Sequence, residues 1–317
     1  MASLARGRGS LALGNVVGST IANILGAFSL GLIFYKPSEL NQATLFEKSS
    51  IIYSLALLLV TTLASALLAF GLHISWRAVG IVFIVLFGVY IASISYLIHK
   101  GLAAAPEEMS DSDSESDSDT SGEDNDESRP LRDAQTSAYG SVDDNSHPPP
   151  PAELSARARR SVPRGIPYHI GLLLAGFLAI VISGYVLSIA VANLVDEFGI
   201  SDVLAGMVIL SIATTIPEKF VAFLSGYKGH GDILLANTVG SNIFLLTLCL
   251  GIIWTGSDGT YPGGEIALSE IAVMLGSAAL LAVAVVMQGR FARPLGWLML
   301  LLYIAFIVLE FTVIHRV

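Results

Sequence analysis

The sequence predicts an all-α polytopic membrane protein with about eight transmembrane helices. Three observations lead to this fold class: an apolar composition, long runs without charge, and an internal repeat of one polar helical motif. Hydrophobic residues make up 53% of the 317 residues and charged residues only 14%, against roughly 25% in an average soluble domain. A helix needs about 20 apolar residues to cross a bilayer, and the apolar runs of this chain are long enough.

Eight apolar runs qualify as spans, three before a long polar segment and five after it. The runs lie at 11–35, 51–72, 76–98, 168–194, 203–226, 232–254, 265–288 and 294–314. We therefore expect three parts: an N-terminal unit of three spans over 1–100, a loop over 101–164 and a C-terminal unit of five spans over 165–317. Lys and Arg collect on the side of the membrane that holds this loop, which the positive-inside rule makes cytoplasmic.

The long loop is strongly acidic, because 11 of the 26 acidic residues fall between Glu107 and Glu127. It is also rich in Ser and Pro and too poor in apolar residues to offset the entropy of ordering, so we predict a disordered segment. An acidic residue lies three positions after each of Ser110, Ser112, Ser114 and Ser116. Region 110–127 therefore suits phosphorylation by an acidophilic kinase, with a plain solvated linker as the alternative.

Composition and the positions of reactive side chains exclude other classes of function. The net charge of −9 comes mainly from the acidic loop, and no basic patch with interleaved aromatics predicts nucleic-acid binding. The six histidines lie in loops or at span ends, so we expect neither enzymatic activity nor a cofactor. The partner expected from composition is membrane lipid. Hydropathy leaves open whether the membrane belongs to the vacuole, to the ER–Golgi system or to the cell surface.

An internal repeat relates the two halves of the chain at an offset of 222 residues. The alignment pairs SLARGRGSLALGNVVGSTIANIL, from Ser3, with SGYKGHGDILLANTVGSNIFLLT, from Ser225, and nine of the 23 pairs are identical. An odd number of predicted spans separates the copies, so they cross the membrane in opposite directions. Inverted repeats of this kind are typical of secondary transporters, which hold the substrate between the repeats near the bilayer midplane.

Polar side chains form one stripe along the first copy of the repeat. Asn15, Ser19 and Asn23 are spaced four residues apart and therefore share one face of a helix. Amide and hydroxyl groups are costly inside a membrane helix. We therefore expect this row either to bond a neighbouring helix or to coordinate an ion.

The second copy follows a polar segment that contains a proline, from Ala213 to Glu218. Pro217 has no N–H, so it breaks the hydrogen-bond ladder of a helix and frees carbonyl oxygens near Thr214. Freed carbonyls, two threonine hydroxyls and the Glu218 carboxylate are ligands for a hard cation such as Ca²⁺ or Na⁺. The alternative is a structural Glu218 paired with Lys219, but adjacent helical residues point about 100° apart and do not face each other.

The chain resembles the sodium/calcium exchanger, or calcium/cation antiporter, superfamily in Thr214, Thr215, Pro217, Glu218 and the paired G/A-N-x-V-G-S stretches. The resemblance implies the inverted-repeat cation/calcium exchanger fold, which has ten spans in two sets of five joined by a cytoplasmic loop. This chain would contain about eight of them, three before the loop and five after it. Members of the family bind Ca²⁺ and exchange it for Na⁺, K⁺ or H⁺ by alternating access.

The resemblance also implies a cation site built from oxygen ligands. Its members would be Glu218 as the principal carboxylate, Thr214 and Thr215 as backbone or hydroxyl ligands, Ser19 and Ser241 as flanking ligands, and Asn23 as the amide ligand of the first repeat. Carboxylate, hydroxyl, carbonyl and amide oxygens are the ligands that hard cations prefer.

Three positions depart from the family pattern. The counterpart of Glu218 in the first repeat would fall five residues before Met1, so we expect the sequence to lack the first span and the start of the first repeat. Leu245 stands where the counterpart of Asn23 would be, and Lys219 follows the motif glutamate where an apolar residue is usual. The alternative function is therefore a transport-inactive membrane scaffold or regulator that acts through its acidic loop.

Overall fold

The structure is a computed structural model that describes residues 8–36, 46, 48–70, 75–99, 166–256, 266–287 and 291–314. Within these residues the chain forms helices and their connections, and no strand. The chain divides into two compact units, Met1–Pro106 with Leu178–Val317 and Glu107–Phe177. The loop predicted over 101–164 lies outside the described residues, so its disorder, its phosphorylation and its boundaries stay predictions.

The described residues form nine helices, numbered here in chain order. They are α1 (Gly9–Ile33), α2 (Lys48–Phe70), α3 (Trp76–His99), α4 (Ile166–Phe198), α5 (Asp202–Thr214), α6 (Ile216–Tyr227), α7 (Gly231–Gly256), α8 (Leu268–Val286) and α9 (Ala292–Leu309, continued as a π-helix over Glu310–Ile314). Seven of them are long and apolar enough to cross a membrane alone, and α5 with α6 makes an eighth span if the two are counted together. The prediction of an all-α polytopic protein with about eight spans is confirmed.

The internal repeat appears in the structure as two helices with the same internal plan. In α1, α-helix over Gly9–Ile21 changes to π-helix over Ala22–Phe28. In α7, the same change occurs between Gly231–Ile243 and Phe244–Cys249. Both α-helical parts have 13 residues and begin 222 positions apart. π-helical turns often mark functional sites. Their matched positions indicate that the same backbone geometry serves the function in both copies of the repeat.

The core of the helical bundle is built around α1. Over the most apolar stretch of this helix 94% of the residues are buried, and side chains such as Leu13 and Phe28 are inaccessible. Helices α5, α6, α7, α8 and α9 all pack against it. A spanning helix that is enclosed by protein can carry polar side chains without exposing them to lipid.

Glycines let the backbone of α1 approach α5 and α6 directly. Near the start of α1, a Cβ added to Gly18 would overlap the carbonyl oxygen of Met207. Near its end, a Cβ added to Gly226 would overlap the carbonyl oxygen of Gly31. No side chain fits at these two crossings, so the helix backbones pack against each other as in other close membrane helix pairs.

A break interrupts the fifth predicted span at Thr215. Helix α5 ends at Thr214, α6 begins at Ile216, and the two helices meet at an angle of 47°. Thr215 has φ −98° and ψ 8°, outside the helical region, and Pro217 lies in the first turn of α6. The break predicted from the proline is therefore confirmed, and it places both threonines of the motif at the junction.

The outer surface of the bundle is apolar. Large side chains such as Ile52 and Leu59 on α2 and Ile180 on α4 are each about 70% exposed, at 69%, 71% and 73%. A soluble monomer rarely exposes apolar patches of this extent, whereas lipid chains cover such a surface without cost. The protein is therefore a multi-pass membrane protein.

Candidate cation site

Polar groups of both repeats meet beside the break between α5 and α6. The Oγ1 of Thr214 lies 3.4 Å from the Oγ of Ser19 and 3.4 Å from the Oδ1 of Asn15. Ser19 itself donates to Asn15 Oδ1 at 3.3 Å, and the shortest hydrogen bond of Thr214 is to the carbonyl of Leu210 at 2.9 Å. Two predicted ligands, Ser19 and Thr214, are thus brought together in one cluster of oxygen atoms between α1 and α5.

A second polar contact joins the repeats at Asn23 and Asn242. The Nδ2 of Asn23 donates to the Oδ1 of Asn242 at 3.4 Å, and the two residues are only 1% and 0% exposed. The remaining amide atoms, Asn23 Oδ1 and Asn242 Nδ2, are buried and have no hydrogen-bond partner among the described residues. A buried amide oxygen without a partner is costly in a membrane interior, so Asn23 Oδ1 is a candidate ligand for a cation.

Glu218 lies in the first turn of α6, directly after the break. Its Oε2 is buried and has no hydrogen-bond partner within the described ranges. Helix α6 packs against α7 and against the π-helical part of α1, so the carboxylate belongs to the region where the repeats meet. An isolated carboxylate is unstable in such surroundings unless a cation or a proton compensates it.

The hydroxyl of Thr215 is bonded within the protein. It donates to the carbonyl of Ser211 at 2.7 Å and accepts a hydrogen bond from the ammonium of Lys219. Thr215 is only 2% exposed. The alternative in which Lys219 pairs with Glu218 is not found among the described ion pairs. A cation-ligand role for Thr215 stays a prediction. The Oγ1 that would be the ligand accepts a hydrogen bond from the Lys219 ammonium.

Ser241 lies half-buried on α7, four residues after Asn237, and the two therefore share a helix face. The Nδ2 of Asn237 is buried without a partner in the described part of the chain. Among the same residues, no hydrogen bond joins Ser241 or Glu218 to the other predicted ligands. The structure thus places the predicted ligands on α1, on α7 and on both sides of the break, and joins Ser19 directly to Thr214.

Asn242 and Asn15 belong to the polar contacts between the repeats, although the sequence did not select them as ligands. The repeat offset pairs Asn23 with Leu245, which predicted that the second copy loses its last polar group. In the structure Asn242 supplies an amide from three positions earlier on α7. The signal was present in the motif N-T-V-G-S-N-I, where Asn242 directly follows Ser241.

The groups near the break are amides, hydroxyls and a carboxylate. Within the described ranges, no three His, Cys, Asp or Glu residues come together. Oxygen donors of this kind suit hard cations such as Na⁺ and Ca²⁺, whereas soft metals prefer thiolate and imidazole. Matched repeats and a broken helix beside oxygen ligands are typical of membrane proteins that transport ions.

The chain belongs to the sodium/calcium exchanger protein family, which matches residues 1–96 and 168–312. The match covers both sides of the acidic loop and confirms the family resemblance seen in the sequence. The family consists of exchangers that transport cations, and not of enzymes.

Several relatives are similar to this chain over part of their length. Putative antiporter CaxA of Alkalimonas amylolytica is 26% identical over 170 residues, which cover 52% of this chain and 53% of that protein. Sodium/potassium/calcium exchanger 4 of Mus musculus is 29% identical over 165 residues, covering 48% and 26%. Inner membrane protein YrbG of Escherichia coli (strain K12) is 35% identical over 81 residues, covering 26% and 25%. The chain thus spans about half of the first relative's length and about a quarter of the other two; no solved structure matches it significantly.

Proposed function

We propose that this protein exchanges Ca²⁺ for Na⁺, K⁺ or H⁺ across its membrane by alternating access, with the cation held between the two repeats. The observation that carries the proposal is the unmet bonding capacity of Asn23 Oδ1 and Glu218 Oε2, two buried oxygens beside a broken helix. The relatives named as antiporters and as sodium/potassium/calcium exchangers support the same class of transport. The cations are substrates, and the proposal includes no resident cofactor.

The proposed ligands contribute different parts of the binding energy. Glu218 would supply the negative charge, and the attraction between charges is strong in a low-dielectric interior. Asn23 would supply a neutral amide oxygen from the other repeat. The hydroxyls of Ser19 and Thr214, which already lie together, and the flanking Ser241 would complete the shell of oxygens. Ligands from both repeats would then be needed to hold one ion.

Alternating access would use the break and the matched repeats. Helix α5 packs on the first half of α1 and α6 packs on its second half. In the proposed cycle, a movement at one of these contacts would open the region of the break toward one side of the membrane. Because the repeats are inverted, each can adopt the conformation of the other. The site then closes toward one side of the membrane as it opens toward the opposite side.

The end of the bundle at which α1 begins carries its own connection between the repeats. Arg8, just before α1, pairs with Asp196 and lies 3.0 Å from Asp202 at the start of α5. The hydrogen bond with Asp196 raises the pKa of Arg8 above its ordinary value. The guanidinium therefore stays charged over the physiological pH range, and the proposed movement must break or carry these contacts.

Flux through reconstituted vesicles tests the function. We expect ⁴⁵Ca²⁺ loaded inside to exchange against external Na⁺, K⁺ or H⁺, and Glu218→Gln to slow the exchange by at least about tenfold, because the amide keeps the shape but removes the charge. Glu197→Gln, at an exposed carboxylate near the end of α4, is the matched control. It should leave the rate unchanged.

Equal flux in wild type and Glu218→Gln would contradict the proposed site. An absence of any ion-driven Ca²⁺ flux would contradict transport and would favour the transport-inactive scaffold that acts through the acidic loop. A Ca²⁺-binding assay on the same preparations then distinguishes the two, because the scaffold does not require Glu218 for any binding to the loop.

A further inference from the structure

Lys219 is a charged residue within a broken membrane span, and its ammonium donates a hydrogen bond to Thr215 Oγ1. The hydrogen of that hydroxyl is directed at the carbonyl of Ser211, 2.7 Å away, so the ammonium meets the lone pairs of the oxygen. An ammonium group and a monovalent metal ion seek the same partner, an oxygen lone pair. The Lys219 ammonium is therefore hydrogen-bonded to Thr215 Oγ1, an oxygen that the family resemblance assigns to the transported cation.

The stem of Lys219 is held in a space that three helices shape. A Cβ at Gly26, in the π-helical part of α1, would lie 3.5 Å from the Cε of Lys219 and 3.2 Å from the ring of Tyr303 on α9. Tyr303 is buried, at 8% exposure. The lysine thus runs between α6, α1 and α9, beside a residue without a side chain. This position differs from that of a surface lysine, whose stem is free to sample solvent.

The charge of Lys219 has a direct consequence for ion binding. Lys219 directly follows Glu218, and although the two are not among the described ion pairs, their opposite charges sum to zero, so an arriving divalent cation meets two residues without net charge. Both positive charges of the ion then remain uncompensated in a low-dielectric region, whereas a neutral side chain at position 219 would leave only one. The lysine must therefore weaken the binding of divalent ions.

We propose that Lys219 is a tethered cation that fills the monovalent-cation position at Thr215 and so determines which ions the protein binds. The inference rests on the proposed exchange function and deepens it. Because the Lys219 ammonium fills the position at Thr215, the site binds one monovalent ion fewer than it would with a neutral residue at position 219. Divalent ions bind more weakly for the same reason.

Equilibrium ⁴⁵Ca²⁺ binding to the purified protein in lipid nanodiscs, with Na⁺ as competitor, tests this role. Lys219→Met keeps a long apolar stem and removes the charge. We expect its Ca²⁺ affinity to rise by about tenfold or more and Na⁺ to compete about fivefold more strongly. Lys228→Met, at an exposed lysine just after α6, is the matched control and should bind both ions as wild type does.

Thr215→Val checks that the hydroxyl is the shared partner. Added to Lys219→Met, it should remove the gain in Na⁺ competition, because the monovalent ion loses its oxygen.

Equal Ca²⁺ affinity and equal Na⁺ competition in wild type and Lys219→Met would overturn the inference. Lys219→Gln repeats the comparison if the methionine variant does not elute as a single folded species. Glu218→Gln separates this failure from failure of the proposed function. If Glu218→Gln loses Ca²⁺ binding while Lys219→Met binds Ca²⁺ and Na⁺ as wild type does, only the proposed role of the lysine is overturned. Unchanged binding in Glu218→Gln overturns both.

Discussion

At the scale of single residues, the site depends on polar atoms whose bonding the protein leaves incomplete. Asn23 and Glu218 carry buried oxygens without a partner in the described part of the chain, while the hydroxyl of Thr215 is bonded to Ser211 and Lys219. Unsatisfied buried groups are rare in folded proteins and require an explanation such as an absent ion. A cation that completes these bonds should stabilise the folded protein by mass action.

The two asparagines that link the repeats should respond differently to substitution. Asn23→Leu removes the proposed ligand oxygen, so we expect Ca²⁺ affinity to fall by about tenfold or more. Asn242→Leu removes the acceptor of Asn23 Nδ2 and leaves a buried donor, so we expect a loss of about 1–3 kcal/mol in unfolding free energy and a smaller loss of affinity. Calcium binding and thermal unfolding of both variants measure the two effects.

Asn193→Leu, at an exposed amide on α4, controls for the loss of an amide from a spanning helix. It should leave Ca²⁺ affinity as in wild type. A larger loss of affinity in Asn242→Leu than in Asn23→Leu would show that the ligand oxygen comes from the second repeat, contrary to the assignment made here.

Sequence patterns predicted part of this site for a physical reason. Ser19, Thr214 and Glu218 stand out because polar groups within apolar runs are costly and therefore conspicuous. The partnership of Asn23 with Asn242 could not be predicted in the same way, because it depends on how far each helix is rotated about its axis. The repeat offset shows that Asn23 and Leu245 are equivalent positions, but it does not show which residues come into contact.

At the scale of the helices, close backbone crossings hold the polar residues of α1 against α5 and α6. Gly18 and Met207 meet near the start of α1, and Gly31 and Gly226 meet near its end. Along α1, Ser19 lies between Gly18 and Gly31. Along α5 and α6, Thr214 lies between Met207 and Gly226. The crossings therefore set the distance between the oxygen atoms of the site.

Gly18→Ala should loosen this arrangement. The added methyl would overlap the carbonyl of Met207, and forced overpacking of this kind costs about 1–3 kcal/mol. Gly276→Ala, where nothing lies within 4 Å of the added carbon, should be neutral or stabilise α8 by up to about 1 kcal/mol, because alanine is the better helix former. Thermal unfolding in detergent compares the two, and an equal effect of both substitutions would contradict the close crossing.

The helices themselves were largely predictable, since hydropathy and proline act locally. Seven of the eight apolar runs are single helices long enough to cross a membrane, the eighth is the bent pair α5 and α6, and Pro217 follows the break at Thr215. The π-helical segments at Ala22–Phe28 and Phe244–Cys249 have no local signature in the sequence. Hydropathy measures how apolar a segment is and does not distinguish π-helix from α-helix.

At the scale of the whole molecule, the proposed site draws its ligands from both repeats. The first repeat provides Asn23 and Ser19 on an enclosed central helix, and the second provides Thr214 and Glu218 at a break together with the amide of Asn242. A helix surrounded by protein tolerates such polar groups, while the apolar outer helices face lipid. The fold therefore separates the proposed ion-binding region from the surface that anchors the protein in the membrane.

The location of a bound divalent ion tests this arrangement most directly. Anomalous diffraction from crystals of the protein soaked in Sr²⁺, an analogue of Ca²⁺, would show the ion itself. The proposed function predicts a peak between α1 and α6, within coordination distance of Asn23 Oδ1 and the Glu218 carboxylate, that disappears in Glu218→Gln. A protein whose only Sr²⁺ lies along the acidic loop, with none at the break, would contradict a site shared by the two repeats.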